Sequence, residues 1–230
     1  MWFPVYGFFD PTALLLIPVI VLGLLAQWWV RATFNKYGRV DASVGWTGAD
    51  VAQRLLAREG VEGVQLEETG GTLTDHYDPR SRTLRLSAAV GRGASLAAYG
   101  VAAHEVGHAV QHRDGYAFLA VRNALLPVAN FGSQLLIPLL FAGFLFRWGF
   151  LINIGIVLYA AAVAFQLVTL PVELNASRRA LAMLRDTGAV AATEIAGARK
   201  VLTAAAFTYV AATLTAVVYL IYLLLGTRRR

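Results

Sequence analysis

The sequence predicts an α-helical membrane protein with about four transmembrane helices and one small α+β domain. Three observations carry this. The 230 residues are 57% hydrophobic and only 15% charged, with a mean hydropathy of +0.57, which is too apolar for an ordinary soluble domain. The apolar residues are gathered into long charge-free runs, each of membrane-spanning length. One polar segment, from about 40 to 115, interrupts them with helix caps, turns and period-two alternation.

Taken in order, Met1 to Asp10 carries no positive charge, so it lacks the basic start of a secretory signal, and an uncleaved anchor is expected. Pro11 to Val30 is free of charge and spans about 30 Å as a helix, with Trp28 and Trp29 at one end as interface residues. Arg31, Lys36 and Arg39 follow at once, so that end is expected to face the cytoplasm.

The polar segment opens with Thr47 and Asp50, which resemble a capping box. Val51, Leu55 and Leu56 give the following helix an apolar stripe, and Gly60 stops it. Short β-type runs follow at 63–68 and 72–77, separated by Gly70 and Gly71. Asp78-Pro79-Arg80-Ser81 places Pro at the second position of a type I turn, and the alternating run 83–87 closes a hairpin. Ser95 is the expected N-cap of a long helix that Gly115 ends.

That helix carries the chemistry. His104 and His108 stand four residues apart, on one face and about 40° apart in azimuth, so two neutral imidazoles can take adjacent corners of a tetrahedral zinc. Glu105 points about 100° away from His104, poorly placed as a ligand but suited to be the general base beside a water on the metal. This is the H-E-x-x-H pattern of zinc hydrolases. His112 continues the face but lies about 12 Å from His104, too far to share one ion. A small sheet leading directly into such a helix suits a peptidase, since an edge strand can bind an extended peptide.

Two further charge-free runs, 123–146 and 148–172, are separated only by Arg147 and read as spans joined by a tight turn; the first is expected to enter the membrane near Phe131. The run 201–227 is the fourth. Between the third and fourth lies Glu173, two residues after Pro171, where a new helical stretch can start. An acidic residue at the end of a span is by default functional, and carboxylate oxygen is a normal third zinc ligand. An ion pair with Arg178 or Arg179, or a favourable charge at a helix N-terminus, would also account for it. Asp114, ten residues after His104, is the rival ligand, although Gln111 stands where that arrangement needs a turning glycine.

Other classes fare less well. The chain has 18 Arg and two Lys, but they are scattered, with no basic run interleaved with aromatics, so no nucleic-acid partner is expected. With no Cys, there are no disulfides, thiolate zinc sites or cysteine nucleophiles. A metal transporter would be expected to carry His or Asp within its spans, and these runs have neither. A non-hydrolytic scaffold or chaperone with a closed structural zinc stays as the alternative.

The segments 73–80, 84–87, 101–109, 169–180 and 205–212 together resemble the bacterial YugP-type neutral zinc metallopeptidases, over nearly the whole chain. The resemblance implies a membrane-bound, gluzincin-like metalloendopeptidase in which a small α+β zinc-peptidase domain holds one Zn2+ on His104, His108 and Glu173, with Glu105 as base. The arrangement is also similar to membrane peptidases of the prenyl-protein and heat-shock type. These follow the glutamate ligand by Ala and Asp at the third and fourth positions. Here Ala176 fits and Ser177 replaces the Asp, which leaves Asn175 or Ser177 to hold a ligand histidine's ring N–H. Arg178, Arg179, His76 and Tyr77 are the candidate oxyanion donors.

The expected organisation is an anchor over 1–30, an α+β catalytic part over 31–130, a transmembrane hairpin over 131–170, a helix with the third ligand over 171–202, and a last span with a basic tail over 203–230. The expected partners are the lipid bilayer and a peptide or membrane-protein substrate. With four spans, the tail Arg228 to Arg230 would face out against the positive-inside rule. Arg31, Lys36, Arg39, Arg178, Arg179, Arg185, Arg199 and Lys200 outweigh it together with Arg147, so the active site is expected on the cytoplasmic side of the cell membrane.

Overall fold

The computed structural model describes residues 11–228; the expectations for Met1 to Asp10, and for the tail beyond Arg228, lie outside it. Among the described residues, four helices are long and apolar enough to cross a membrane: Ala13–Tyr37, Ala117–Leu145, Gly149–Asp186 and Ile195–Gly226. The regular part of the first is α1, Leu16–Tyr37, so Arg31 and Lys36 lie in its final turns rather than after its end.

The chain divides into two units, and the membrane-like one comprises residues 11–26, 121–170 and 208–228. Its helices are apolar all round, and Ile137, Phe144 and Val157 are about 70% exposed (72%, 72% and 70%), which is the surface a lipid-facing helix presents. Backbones approach closely where side chains are absent: a Cβ on Gly132 would sit 2.6 Å from the Leu158 carbonyl oxygen. The turn between the second and third spans is three residues, with Arg147 in the left-handed region (φ 57°) and the rings of Phe146, Trp148 and Phe150 packed in sequence around it.

The other unit, residues 27–120 and 171–207, holds the mixed structure. Thr47 caps α2 (Gly48–Arg58): its hydroxyl accepts from the Asp50 N–H at 3.1 Å, and the Asp50 carboxylate accepts from the Thr47 N–H at 2.9 Å. Three strands follow, β1 (Gln65–Thr69), β2 (His76–Asp78) and β3 (Thr83–Ser87). The β2–β3 hairpin forms as its turn predicts. β1, however, pairs parallel with β3, giving the order β1-β3-β2. The central strand is buried accordingly, with Leu84 0% and Leu86 2% exposed, while Arg85 pairs with Glu67 on one neighbour and Asp78 on the other. Asp75 anchors the approach to β2, its carboxylate accepting from the Ser87 N–H at 2.6 Å and the Ser87 hydroxyl at 3.1 Å.

After the one-turn α3 (Ala88–Gly91), Ser95 caps α4 (Leu96–Arg113) by accepting from the Ala98 N–H, and Gly115 (φ 62°) ends it. α4 is the axis of this unit. Its residues Leu96 to Val110 pack with Val51, Leu55 and Leu56 of α2, with Leu84 and Leu86 of β3, and with Ala180, Met183 and Leu184. The last three belong to a 38-residue helix, Gly149–Asp186, which is numbered α6 because α5 is Ala117–Leu145; α7 is Ile195–Arg228. Pro171 does not begin a helix, contrary to expectation. It lies inside α6, where it removes one N–H from the ladder without ending the helix.

Candidate metal centre

His104 and His108 project from neighbouring turns of α4, with ring centroids 4.8 Å apart and planes at 85°. Glu173 on α6 meets them: its Oε2 lies 3.1 Å from His104 Nε2 and 3.5 Å from His108 Nε2. The side chains are 12%, 9% and 2% exposed for His104, His108 and Glu173, so all three are largely covered and the carboxylate most of all. Gly107 makes the approach of the helices possible. A Cβ there would lie 2.8 Å from the Ala176 carbonyl oxygen, and Ala176 is one turn after Glu173.

Ligand bonds of about 2.0–2.1 Å at tetrahedral angles put donor atoms about 3.3 Å apart. The two distances to Glu173 straddle that value, and one ligand atom from each of the three residues lies within 4.8 Å of the others. The donor set of two imidazole nitrogens and one carboxylate oxygen is also one that zinc accepts at an open site. The residues present therefore fit the ion.

Both rings are held on their far side. His104 Nδ1 is 3.1 Å from the Ser177 hydroxyl, and His108 Nδ1 is 2.9 Å from Gln111 Oε1. Gln111 donates in turn to the Val172 carbonyl at 2.8 Å and to Asn175 Oδ1 at 2.9 Å. Asn175 therefore touches Gln111 and neither histidine ring. It also accepts from Arg179 Nε at 2.9 Å.

Arg179 ends this chain by donating to Asp114 at 2.6 Å. Arg113 binds the same carboxylate at 2.7 Å. The hydrogen bond from Arg179, with help from Arg113 and against partial burial, holds the Asp114 carboxyl below its ordinary value. Asp114 is thus an ion-pair partner and is not one of the three converging donors.

Glu105 is 7% exposed, yet its carboxylate has no hydrogen-bond or ion-pair partner among the described residues. The remaining candidates stand apart from the trio. Tyr77 bonds through its hydroxyl to His112 Nδ1 at 2.9 Å, and burial pushes its phenol up. The two line a cavity of about 240 Å³ with Val61, Val64, Arg82 and Ala109. Ala109 and His112 follow Glu105 by four and seven residues, so this cavity lies on the same helix face as Glu105 but starts one turn beyond it, and Glu105 is not in its wall. His76 is exposed, its Nδ1 2.8 Å from the Thr74 carbonyl, and Arg178 is exposed.

Gln111 carries no motif of its own in the sequence. It is fully buried and touches the His108 ring, and its one signal in the sequence is its position three residues after His108.

A family model described as "Putative neutral zinc metallopeptidase" matches residues 12–228. The chain is 49% identical over 201 residues to the "Putative membrane protease YugP" of Bacillus subtilis (strain 168), a match that covers 87% of this chain and 89% of that protein. No solved structure matches.

Proposed function

Because the chain belongs to the neutral zinc metallopeptidase family, we propose that it is a multi-pass membrane endopeptidase that hydrolyses peptide bonds at a zinc ion held by His104, His108 and Glu173. The observation that carries this reading is the convergence of those three donors beside Glu105, a largely covered residue whose carboxylate no described residue engages. A zinc ion held by these residues would supply a Lewis acid that brings the pKa of an attacking water to about 7 and polarises the scissile carbonyl.

The chain's own residues supply the rest. Glu105 takes a proton from the attacking water on its carboxylate and returns it to the leaving nitrogen. The Glu105 side chain is largely covered, its oxygens are not among the fully buried polar atoms, and no group among the described residues engages them, so they are open to that exchange. Ser177 and Gln111 hold the two imidazoles by their Nδ1 atoms and keep both Nε2 atoms turned to Glu173. The cavity one turn beyond Glu105 on the same helix face, with Tyr77 and His112 in its wall, gives a peptide or a segment of a membrane protein a place to lie, and β2 offers an edge strand to it. The peptidase part faces the cytoplasm, as the basic residues at the ends of the spans favour.

A closed structural zinc would need four protein donors, and the cluster among the described residues has three. The deciding measurement is the zinc content of purified protein with and without Glu173→Ala, together with cleavage of an unstructured protein such as casein. One zinc per chain, lost with cleavage in the variant, is the expected result. Cleavage that survives removal of the metal by a chelator would overturn the reading.

A further inference from the structure

We infer that Gln111 is a positioning residue that fixes His108 in the tautomer whose Nε2 carries the lone pair. This rests on the zinc reading above and adds to it a residue outside the ligand set. The amide of Gln111 is fully buried, with one end toward Val172 and Asn175 and the other toward His108. A main-chain carbonyl only accepts, so the end that meets the Val172 carbonyl at 2.8 Å is the NH2 group.

Asn175 agrees independently. Its oxygen also receives Arg179 Nε, and a guanidinium only donates, so the atom facing Gln111 must be the acceptor. Both amide orientations are therefore set by groups that cannot exchange roles. Oε1 is left against His108 Nδ1 at 2.9 Å, and an amide oxygen only accepts. Nδ1 must carry the hydrogen, and the lone pair of the neutral ring falls on Nε2, the atom 3.5 Å from Glu173.

The chain of bonds has a fixed outer end. Arg179 donates to Asp114 at 2.6 Å, so the order runs from a partly exposed ion pair through Asn175 and Gln111 to the ring. In sequence terms, a residue at position 111 reaches back one turn to His108 and across to α6 at once. A ring lacking this acceptor is free to take the other tautomer, which presents N–H to the ion, or to turn away from it.

The test uses the full chain in detergent. Zinc affinity is measured by competition with a chromophoric chelator for wild type, Gln111→Leu, Gln111→Glu and His108→Ala, and melting temperature is measured on the metal-free proteins. Gln111→Leu is expected to weaken zinc binding about 10- to 100-fold. Gln111→Glu restores an acceptor opposite Nδ1 but not the donors to Val172 and Asn175. It is expected to recover most of the affinity while melting, without metal, no higher than Gln111→Leu.

Equal losses in the two variants would show that Gln111 merely ties the helices together, and no loss in Gln111→Leu would remove its role; either result overturns the inference. His108→Ala abolishes binding in both cases, which leaves the zinc reading intact. If Gln111→Leu fails to fold, Gln111→Met, which also offers no oxygen acceptor to His108, takes its place in the comparison with Gln111→Glu. A wild-type protein that takes up no zinc would sink both.

Discussion

Gly107 and Ala176 are in backbone contact: a methyl group on Gly107 would lie 2.8 Å from the Ala176 carbonyl oxygen and 3.3 Å from its carbonyl carbon. Neither atom can swing aside as the end of a side chain would, so the helix carrying Glu173 would have to retreat. Gly107→Ala is expected to cost about 1–3 kcal/mol by overpacking. Because Glu173 is one turn from Ala176, the variant should also bind zinc more weakly than wild type at a temperature where both are folded. Calorimetric melting and chelator competition check the two effects, and unchanged zinc affinity would show that the donors do not depend on this approach.

Glu105→Gln separates the proton transfer from the metal. The substitution keeps size and burial but removes the basic carboxylate, so zinc content should stay near wild type while turnover falls about 10²- to 10⁴-fold. His108→Ala should lose both. Metal analysis alongside peptide cleavage reads the contrast, and an undiminished rate in Glu105→Gln would remove the base from the mechanism.

Much of the molecule was legible because its determinants are local. Charge-free runs mark the four spans, the Thr47 and Ser95 caps mark helix starts, and two histidines one turn apart mark a metal face whatever surrounds them. Glu173 stood out because an acid at the end of a span demands a reason. What stayed hidden depends on partners far away in sequence. Alternation at 83–87 announces a strand but not that β1 will lie parallel beside it. Pro171 reads as a helix start because the proline penalty is a local quantity, whereas α6 continues through it. Gln111 looked like a polar residue in place of a glycine, and its meaning appears only when Val172 and Asn175 come across to it.

The Asp114–Arg179 pair should leave a mark on acid stability. The folded-state value of Asp114 is depressed below 3.8, first by the hydrogen bond from Arg179. The sign follows: the unfolded chain binds the proton more readily, so the stabilisation is fully present above the unfolded value and is lost as pH falls through the lower folded one. Asp114→Asn should therefore melt below wild type at neutral pH and converge with it under strong acid. Thermal unfolding of the metal-free proteins from pH 7 down to about pH 3 measures this, since zinc binding would add its own pH dependence. Curves that stay parallel across the range would show that the ion pair adds nothing.

Sidedness can be read directly because the chain has no cysteine, so a single introduced thiol is an unambiguous reporter. Arg58 lies exposed at the end of α2, and Arg147 lies exposed in the turn between α5 and α6. One span, Ala117–Leu145, separates them, so they must be on opposite sides if that helix crosses. The basic residues after the first span and around α6 and α7 outnumber Arg147, which favours Arg58 inside. A membrane-impermeant maleimide applied to intact cells should label Arg147→Cys and spare Arg58→Cys until the membrane is opened. The reverse pattern would move the metal centre to the outer face, and with it the class of peptides it meets. Labelling of both from one side would mean that α5 does not cross at all, leaving its apolar, exposed side chains to be explained by something other than lipid.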